Sequence, residues 1–459
     1  MIRNFIRAVV FVFIVMVVVV AAAAPNYLSA QKAFWGSIRQ QPVPSLDGVQ
    51  KPPHDPNKPT VAVILGNETT EGMDFTIPYQ LFSMTGAYNV YAVASDNGVR
   101  SLTGGVDVVP HYSFEQLDEL LGGSADIIAI PYLTMTDAQK LKPIQDWILE
   151  HRDKTLLSIC AGADVLASTG LLDGKTGATH WQTMAVLTKQ YPEVNWVQDR
   201  RYVTNDGGRM ISSAGISSGI DASLYVISQQ LGEEAAAAIA EELHYPSYHY
   251  VANPAVEPYQ IDIQYSTYVL NNAFQWADTK LGVMLYEGVE EMAVASVFDI
   301  YSDSGTTRTL SIAQADRPVL SKHGLYLLAR HSMDQPPKVD KLVVPGSGAS
   351  ELASEEVRLW KEKGNGTEPR LIHSGAKERF LFEVQLEDLA KQEDVLTARH
   401  AAKRLEFRAE SFELQGNPVP FETYGALLLT VAAAVALAIF VDRRWMVKRN
   451  AAAKLRRTA

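Results

Sequence analysis

The stretch Lys154-Thr155-Leu156-Leu157-Ser158-Ile159-Cys160-Ala161-Gly162-Ala163 holds the only cysteine of the 459-residue chain, where an apolar run gives way to small residues and a helical pattern. Such a strand, stopping at small residues just before a helix, reads as a nucleophile elbow. The tight turn lifts a side chain clear of a sheet and sets it beside unpaired helix N–H groups, which favour a thiolate and donate to an oxyanion. A lone thiol is also commonly a buried structural residue, and spacing by itself leaves both readings open. The elbow reading carries a lowered thiol pKa for Cys160 with it.

Outward from the elbow, residues 61–66, 90–95, 125–131 and 155–160 read as short apolar strands, and 76–85, 114–121, 137–151 and 163–170 as helices. That alternation predicts an α/β fold, a flavodoxin-like doubly wound parallel sheet with helices on both faces. Residues 194–203 and 209–214, joined by Asn205-Asp206-Gly207-Gly208, read as a hairpin, and helices over 218–230 and 233–244 close a domain at 60–250.

A second unit, 251–420, echoes the first. Glu71-Gly72-Met73-Asp74 returns as Glu290-Glu291-Met292-Ala293, Ile128-Ala129-Ile130-Pro131 as Leu342-Val343-Val344-Pro345, and the closing helix pair as 380–407. Between 346 and 380 no apolar strand runs into a C-x-G turn, so the second copy is expected to have lost its elbow, to be inert, and to pack on the first as an intrachain pseudo-dimer. Strings this short also arise by chance between two α/β units.

The chain is mildly acidic, with a formal net charge of −11, and its length suits two to three domains. One cysteine excludes an internal disulfide and a four-thiolate zinc site, and the 10 histidines form no H-x-x-x-H or H-E-x-x-H cluster. Neither a metal nor a cofactor is expected. Apolar runs at 8–24 and 425–441 each span about 25 Å as helices, enough to cross a bilayer core. Residues 1–25 therefore read as an N-terminal anchor, with a leader cleaved after Ala22-x-Ala24 as the other reading, and 424–442 as a transmembrane helix. Arg3 and Arg7 before the first run, and Arg443, Arg444, Lys448, Arg449, Lys454, Arg456 and Arg457 in the tail 443–459, put both termini in the cytoplasm and everything between outside it. The tail is expected to touch anionic membrane lipid. Within the linker 26–59, the proline-rich part from Gln40 onward should be extended and poorly packed.

Five motifs between Pro59 and Pro246 give the chain a family resemblance: Glu71-Gly72-Met73-Asp74-Phe75-Thr76-Ile77-Pro78, Ser158-Ile159-Cys160-Ala161-Gly162, Leu166-Ala167-Ser168-Thr169-Gly170-Leu171-Leu172-Asp173-Gly174, Ala178-Thr179-His180-Trp181 and Ser213-Ala214-Gly215-Ile216-Ser217-Ser218-Gly219-Ile220-Asp221. In this order they resemble the PfpI/ThiJ family of the class I glutamine amidotransferase-like superfamily, in particular the branch with isonitrile hydratases and the amidase-like domains of AraC-type regulators. The resemblance implies Cys160 as nucleophile, Asp74 as the acid that reaches it, and His180 as a residue that orients or deprotonates the thiol. Read from the residues alone, Asp74 is also a helix N-cap, His180 a loop histidine and Asp221 a cap or loop anchor. The branch's hydratases carry threonine, and several peptidase-like members histidine, where this chain has Ala161. The glycines that present an oxyanion-hole amide are missing at Ile130-Pro131-Tyr132-Leu133. Ala161, Tyr132 and Gly215 are the remaining candidates for the pocket or oxyanion site.

The reading is thus a membrane protein with cysteine-dependent hydrolase or hydratase chemistry on a small molecule. The alternatives are a ligand or redox sensor without enzymatic activity and a structural membrane protein. No DNA-binding domain accompanies these motifs, so nucleic acid is not an expected partner.

Overall fold

In a computed structural model describing residues 2–134, 136–363, 366–408 and 412–455, three larger sheets and a two-stranded ribbon organise the chain. The first has seven strands in the order Tyr202–Asn205, Met210–Ser213, Thr155–Ser158, Ile127–Ile130, Thr60–Ile64, Asn89–Ala94 and Tyr112–Ser113. All its pairings are parallel except the hairpin edge. Its central strands are buried on both faces, hence their continuous apolar runs. Val61, Val63, Ala129 and Leu157 face the helices Gly72–Met84 and Ile216–Leu231, while Ala62, Ile64, Ile128 and Leu156 face Phe114–Leu121 and Ala138–Glu150. Helix Phe114–Leu121 is delimited by its ends: Ser113 and Gln116 form a reciprocal capping box, and Gly122 closes it in the left-handed region.

Two sequence readings need correction here. The strand expected over 194–203 is broken. Asn195–Val197 pairs with Thr176–Ala178 in a separate ribbon, and the chain then turns to bury Arg201 against Asp221 before Tyr202–Asn205 joins the hairpin. The proline-rich linker is not loosely packed throughout: His54 Nδ1 lies 3.1 Å from the Tyr91 hydroxyl, and Asn89 donates to the carbonyls of Asp55 and Lys58 at 2.8 and 3.0 Å.

The second sheet is wholly parallel, in the order His331–Ser332, Thr307–Ala313, Thr279–Met284, Lys341–Val344 and Pro369–Leu371. This repeats the order of five strands of the first sheet, from Tyr112–Ser113 to Thr155–Ser158. A strand does therefore stand between 346 and 380. In register it places His373 where the first sheet has Cys160. His373 lacks the left-handed backbone of Cys160, so the elbow itself is gone.

The third sheet joins the two units. Asp107–Val109 pairs antiparallel with Tyr326–Leu328 in the register Val109↔Tyr326, Val108↔Leu327, Asp107↔Leu328. Buried Asp107 accepts from Arg39 and Arg330 at 2.9 and 2.7 Å, one from the linker and one from the second unit. The helices Gly72–Met84 and Glu291–Val297 meet across this seam in matching fashion: the Met73 amide donates to Asp299 Oδ2 at 3.3 Å, and the Met292 amide to Gln80 Oε1 at 2.9 Å. One continuous apolar core crosses the joint.

Two helices, Ile2–Phe34 and Phe421–Leu455, are long and apolar enough to cross a membrane. The first runs through Pro25, ten residues beyond the expected span. They lie antiparallel: Arg7 meets Asp442 with two hydrogen bonds of 2.9 and 2.6 Å at one end, and Ala426 packs with Ala273 and Phe274 at the other. Arg456 and Arg457 lie outside the described residues.

Gly162 is the tightest point behind the elbow. A Cβ there would overlap the Ile130 carbonyl oxygen and sit 2.9 Å from the Pro131 carbonyl carbon, both main-chain atoms of a central strand end. Gly162→Ala is expected to cost on the order of 2–4 kcal/mol in urea unfolding, whereas Gly174→Ala, with nothing near its Cβ position, should cost only the strain of its positive φ.

Candidate active site

Cys160 follows strand Thr155–Ser158 with φ 57°, a left-handed conformation that costs a non-glycine residue free energy and persists only where its surroundings enforce it. Helix Gly162–Ser168 begins two residues later. The thiol is 7% exposed. Its amide points at Ser213 Oγ, 3.4 Å away, and its carbonyl accepts from the Thr179 hydroxyl at 3.3 Å.

Asp74 lies in the first turn of helix Gly72–Met84 and is fully buried. It is not the N-cap: Glu71 caps the helix by accepting the Asp74 amide at 2.6 Å. That releases the Asp74 carboxyl to face the elbow. Its Oδ2 accepts the Tyr132 amide at 3.3 Å, while Oδ1 has no formed hydrogen bond among the described residues. Burial pushes Asp74 well above the usual carboxylate range, and the Glu71 charge adds to this. The Tyr132 amide, Arg404 and a hydrogen-bonding approach of the Cys160 side chain, which falls short of a fully formed bond, pull it back.

The same surroundings overturn the expected thiolate. Burial raises the Cys160 thiol well above its ordinary value, and Asp74 and Glu71 raise it further; the Ala161 amide and Arg404 oppose them without prevailing. The helix end is real, but burial, with two acids beside the sulfur, outweighs it.

His180 is placed otherwise than the motif suggests. Its Nε2 donates to the Arg404 carbonyl at 2.9 Å and its Nδ1 accepts the Gln182 amide at 3.4 Å, and burial lowers it to about 3. Both nitrogens of this neutral ring are engaged away from the thiol. Gly215 packs under the Glu406 side chain, which a Cβ would overlap, and so offers no open pocket surface. The Tyr132 amide is committed to Asp74, its ring stands edge-on to Trp35 at 5.4 Å, and burial lifts its hydroxyl to about 12. Asp221 pairs with buried Arg201 and accepts from Tyr245 at 2.8 Å, a structural anchor.

Four residues of the site were not singled out from sequence. Arg404, at the end of helix Val395–Arg404 in the second unit, pairs with Glu71 at 3.4 Å and with Asp303, its guanidinium 5.2 and 5.5 Å from the rings of Phe34 and Trp35. Burial works against its charge, but Asp303, Asp299 and Glu71 hold its pKa raised. Asp299 lies in a π-helical turn, Phe298–Ser302, that ends beside Asp303. Burial raises both, Asp303 to about 6. Trp35 closes the set from the end of the N-terminal helix.

A left-handed cysteine between a central parallel strand and a helix, faced by a buried acid from the first strand–helix loop, agrees with what comparison shows: the profile of the DJ-1/PfpI family matches residues 59–229. Residues 59–229 are a DJ-1/PfpI family domain. The chain is 28% identical over 178 residues to an isonitrile hydratase of Pseudomonas putida, covering 38% of this chain and 73% of the hydratase. It is 29% identical over 159 residues to the HTH-type transcriptional regulator CdhR of Pseudomonas aeruginosa, spanning 34% of this chain and 44% of the regulator's length. Among solved structures, Drosophila melanogaster DJ-1beta is 20% identical with a TM-score of 0.35, covering 40% of this chain and 97% of that one. A THiJ/PfpI family protein from Pseudomonas syringae is 20% identical with a TM-score of 0.36, covering 44% and 84%.

Within this DJ-1/PfpI domain the electrostatics give a signed test. Because the Asp74 charge raises the Cys160 pKa, Asp74→Asn should move the pH midpoint of Cys160 alkylation downward. Asp221→Asn should leave that midpoint in place and lower the unfolding temperature instead.

Proposed function

We propose that the chain is a membrane-anchored protein whose DJ-1/PfpI domain adds water to a small uncharged electrophile, with Cys160 as nucleophile and Asp74 as acid and base. One observation carries this reading: a conformationally strained thiol faces a buried carboxyl that its surroundings hold towards the protonated form. Protonated Asp74 gives its proton to the isonitrile carbon as sulfur bonds to that carbon, and regains one from the thiol, which leaves an S-linked thioimidate. Water then bonds to the same carbon with one of its protons passing to nitrogen, the C–S bond breaks, and the other water proton returns to sulfur as the formamide leaves. An uncharged substrate suits a buried site whose surroundings hold Asp74 and Asp299 towards their protonated, neutral forms. Similarity to an isonitrile hydratase supports hydration as the reaction and an isonitrile as substrate. His180, bonded to the Arg404 carbonyl, acts as a positioning residue.

Burial of the thiol favours a second reading, a ligand sensor, in keeping with the similarity to the regulator CdhR. The raised thiol pKa speaks against redox sensing through a standing thiolate.

The second unit is read as a decayed copy of the first, held as an intrachain pseudo-dimer. Repeated strand order, the paired strands 107–109 and 326–328 and the reciprocal helix contacts support this. The two long helices are read as a membrane hairpin with both termini in the cytoplasm, on the strength of Arg7, Arg443 and Arg444 at one end.

Two experiments test these readings. Purified protein given an alkyl isonitrile should form the corresponding formamide, and Cys160→Ser should lower the rate at least about a thousandfold. No turnover of the isonitrile by the wild type removes the hydratase reading and leaves the sensor. Protease added to spheroplasts should digest the central units and spare a tag on the C-terminus; a protected centre would reverse the orientation.

A further inference from the structure

In the second unit, the positions corresponding to the Cys160 site enclose a cavity of about 70 Å³. Ala293 stands at the third position of its helix, as Asp74 does in the first unit, and its short side chain leaves room where the carboxyl would be. Glu242 ends helix Glu233–Glu242 as Arg404 ends Val395–Arg404, each followed two residues later by a left-handed residue, His244 at φ 52° and Glu406 at φ 51°. The first site is thus filled by Asp74 and Arg404, and the second is open. Its back wall comes from the first unit, through Gln80 and Met84.

The histidine in the cysteine's register position cannot react. His373 Nδ1 accepts the Gly346 amide at 2.9 Å, its Nε2 faces the Gln385 amide at 3.0 Å, and burial lowers it to about 4. The cavity therefore binds without chemistry.

Charge defines what it binds. Lys322 is paired with Glu290 at 3.1 Å, and Arg379 with Glu387 at 2.8 Å. Of the lysine, arginine and glutamate side chains in the lining, two have no ion pair among the described residues, Lys377 and Glu242, both exposed, with the exposed His244 beside Glu242 in the chain. A ligand of a single charge would gain one of them and be repelled by the other, whereas a ligand carrying both charges satisfies the two. We propose that this pocket is a binding site for a small zwitterion of the amino-acid class, separate from the Cys160 site and independent of its chemistry.

Calorimetric titration of the full chain with β-alanine tests this, with propionate and propylamine as singly charged probes. β-Alanine should bind saturably at one site, equally in wild type and Cys160→Ser. Lys377→Gln and Glu242→Gln should each weaken it about threefold, and Ala293→Leu, which fills the space, should abolish it. The two rim variants alter exposed side chains only, so they decide the matter even if Ala293→Leu fails to fold. Absence of saturable β-alanine binding, undiminished binding in the rim variants, or propionate or propylamine binding as tightly as β-alanine would overturn the proposal.

Discussion

Arg404 is the buried cation on which the site depends. Glu71 and Asp303 pair with its guanidinium and Asp74 and Asp299 lie within reach of its charge, and burying that many carboxyls is tolerable only because it neutralises part of their charge while protons neutralise the rest. Leaving such a cluster without its cation typically costs about 3–5 kcal/mol. Arg404 belongs to the second unit and Glu71, Asp74 and Cys160 to the first, so the electrostatics of the thiol are assembled across the joint. Trp35 and Phe34, over the guanidinium, tie the end of the N-terminal helix into the same point.

If the second unit is a decayed copy, as proposed, this gives a reason for its retention without a nucleophile of its own. On the proposed reading, the copy that kept Cys160 and Asp74 receives its counter-charge from the copy that lost them. The equivalent position facing the other way is Glu242, which supplies no cation. On the same reading, the two halves differ as a filled, charged site and an open pocket.

Much of the first domain was legible in the sequence. Fully buried parallel strands leave continuous apolar runs, and residues 61–66, 90–95 and 155–160 match strands to within two residues at either end. The elbow was legible because Gly162 and Ala163 are small for a reason that the packing against Ile130 and Pro131 makes plain. The protonation state of Cys160 was not, because burial, then Asp74 and Glu71, raise its pKa and Arg404 opposes them: burial is not written in the elbow string, Glu71 looked like part of a helix start, and Arg404 is 244 positions along the chain from the cysteine. The strand Pro369–Leu371 was missed because three residues that include Pro369 and Arg370 carry no apolar run, although Ile372-His373-Ser374-Gly375 after it preserves the shape of Ile159-Cys160-Ala161-Gly162. His180 was overread, since a motif fixes where a histidine stands and not which way its nitrogens turn.

The most direct test is the pH dependence of Cys160 alkylation in Arg404→Gln and Arg404→Lys beside the wild type. Arg404 lowers the Cys160 pKa, so Arg404→Gln should shift the alkylation midpoint to higher pH, and Arg404→Lys, which keeps the charge, should return it most of the way in a folded protein. An unshifted midpoint in folded Arg404→Gln would contradict the claim that a cation from the second unit acts on the thiol of the first.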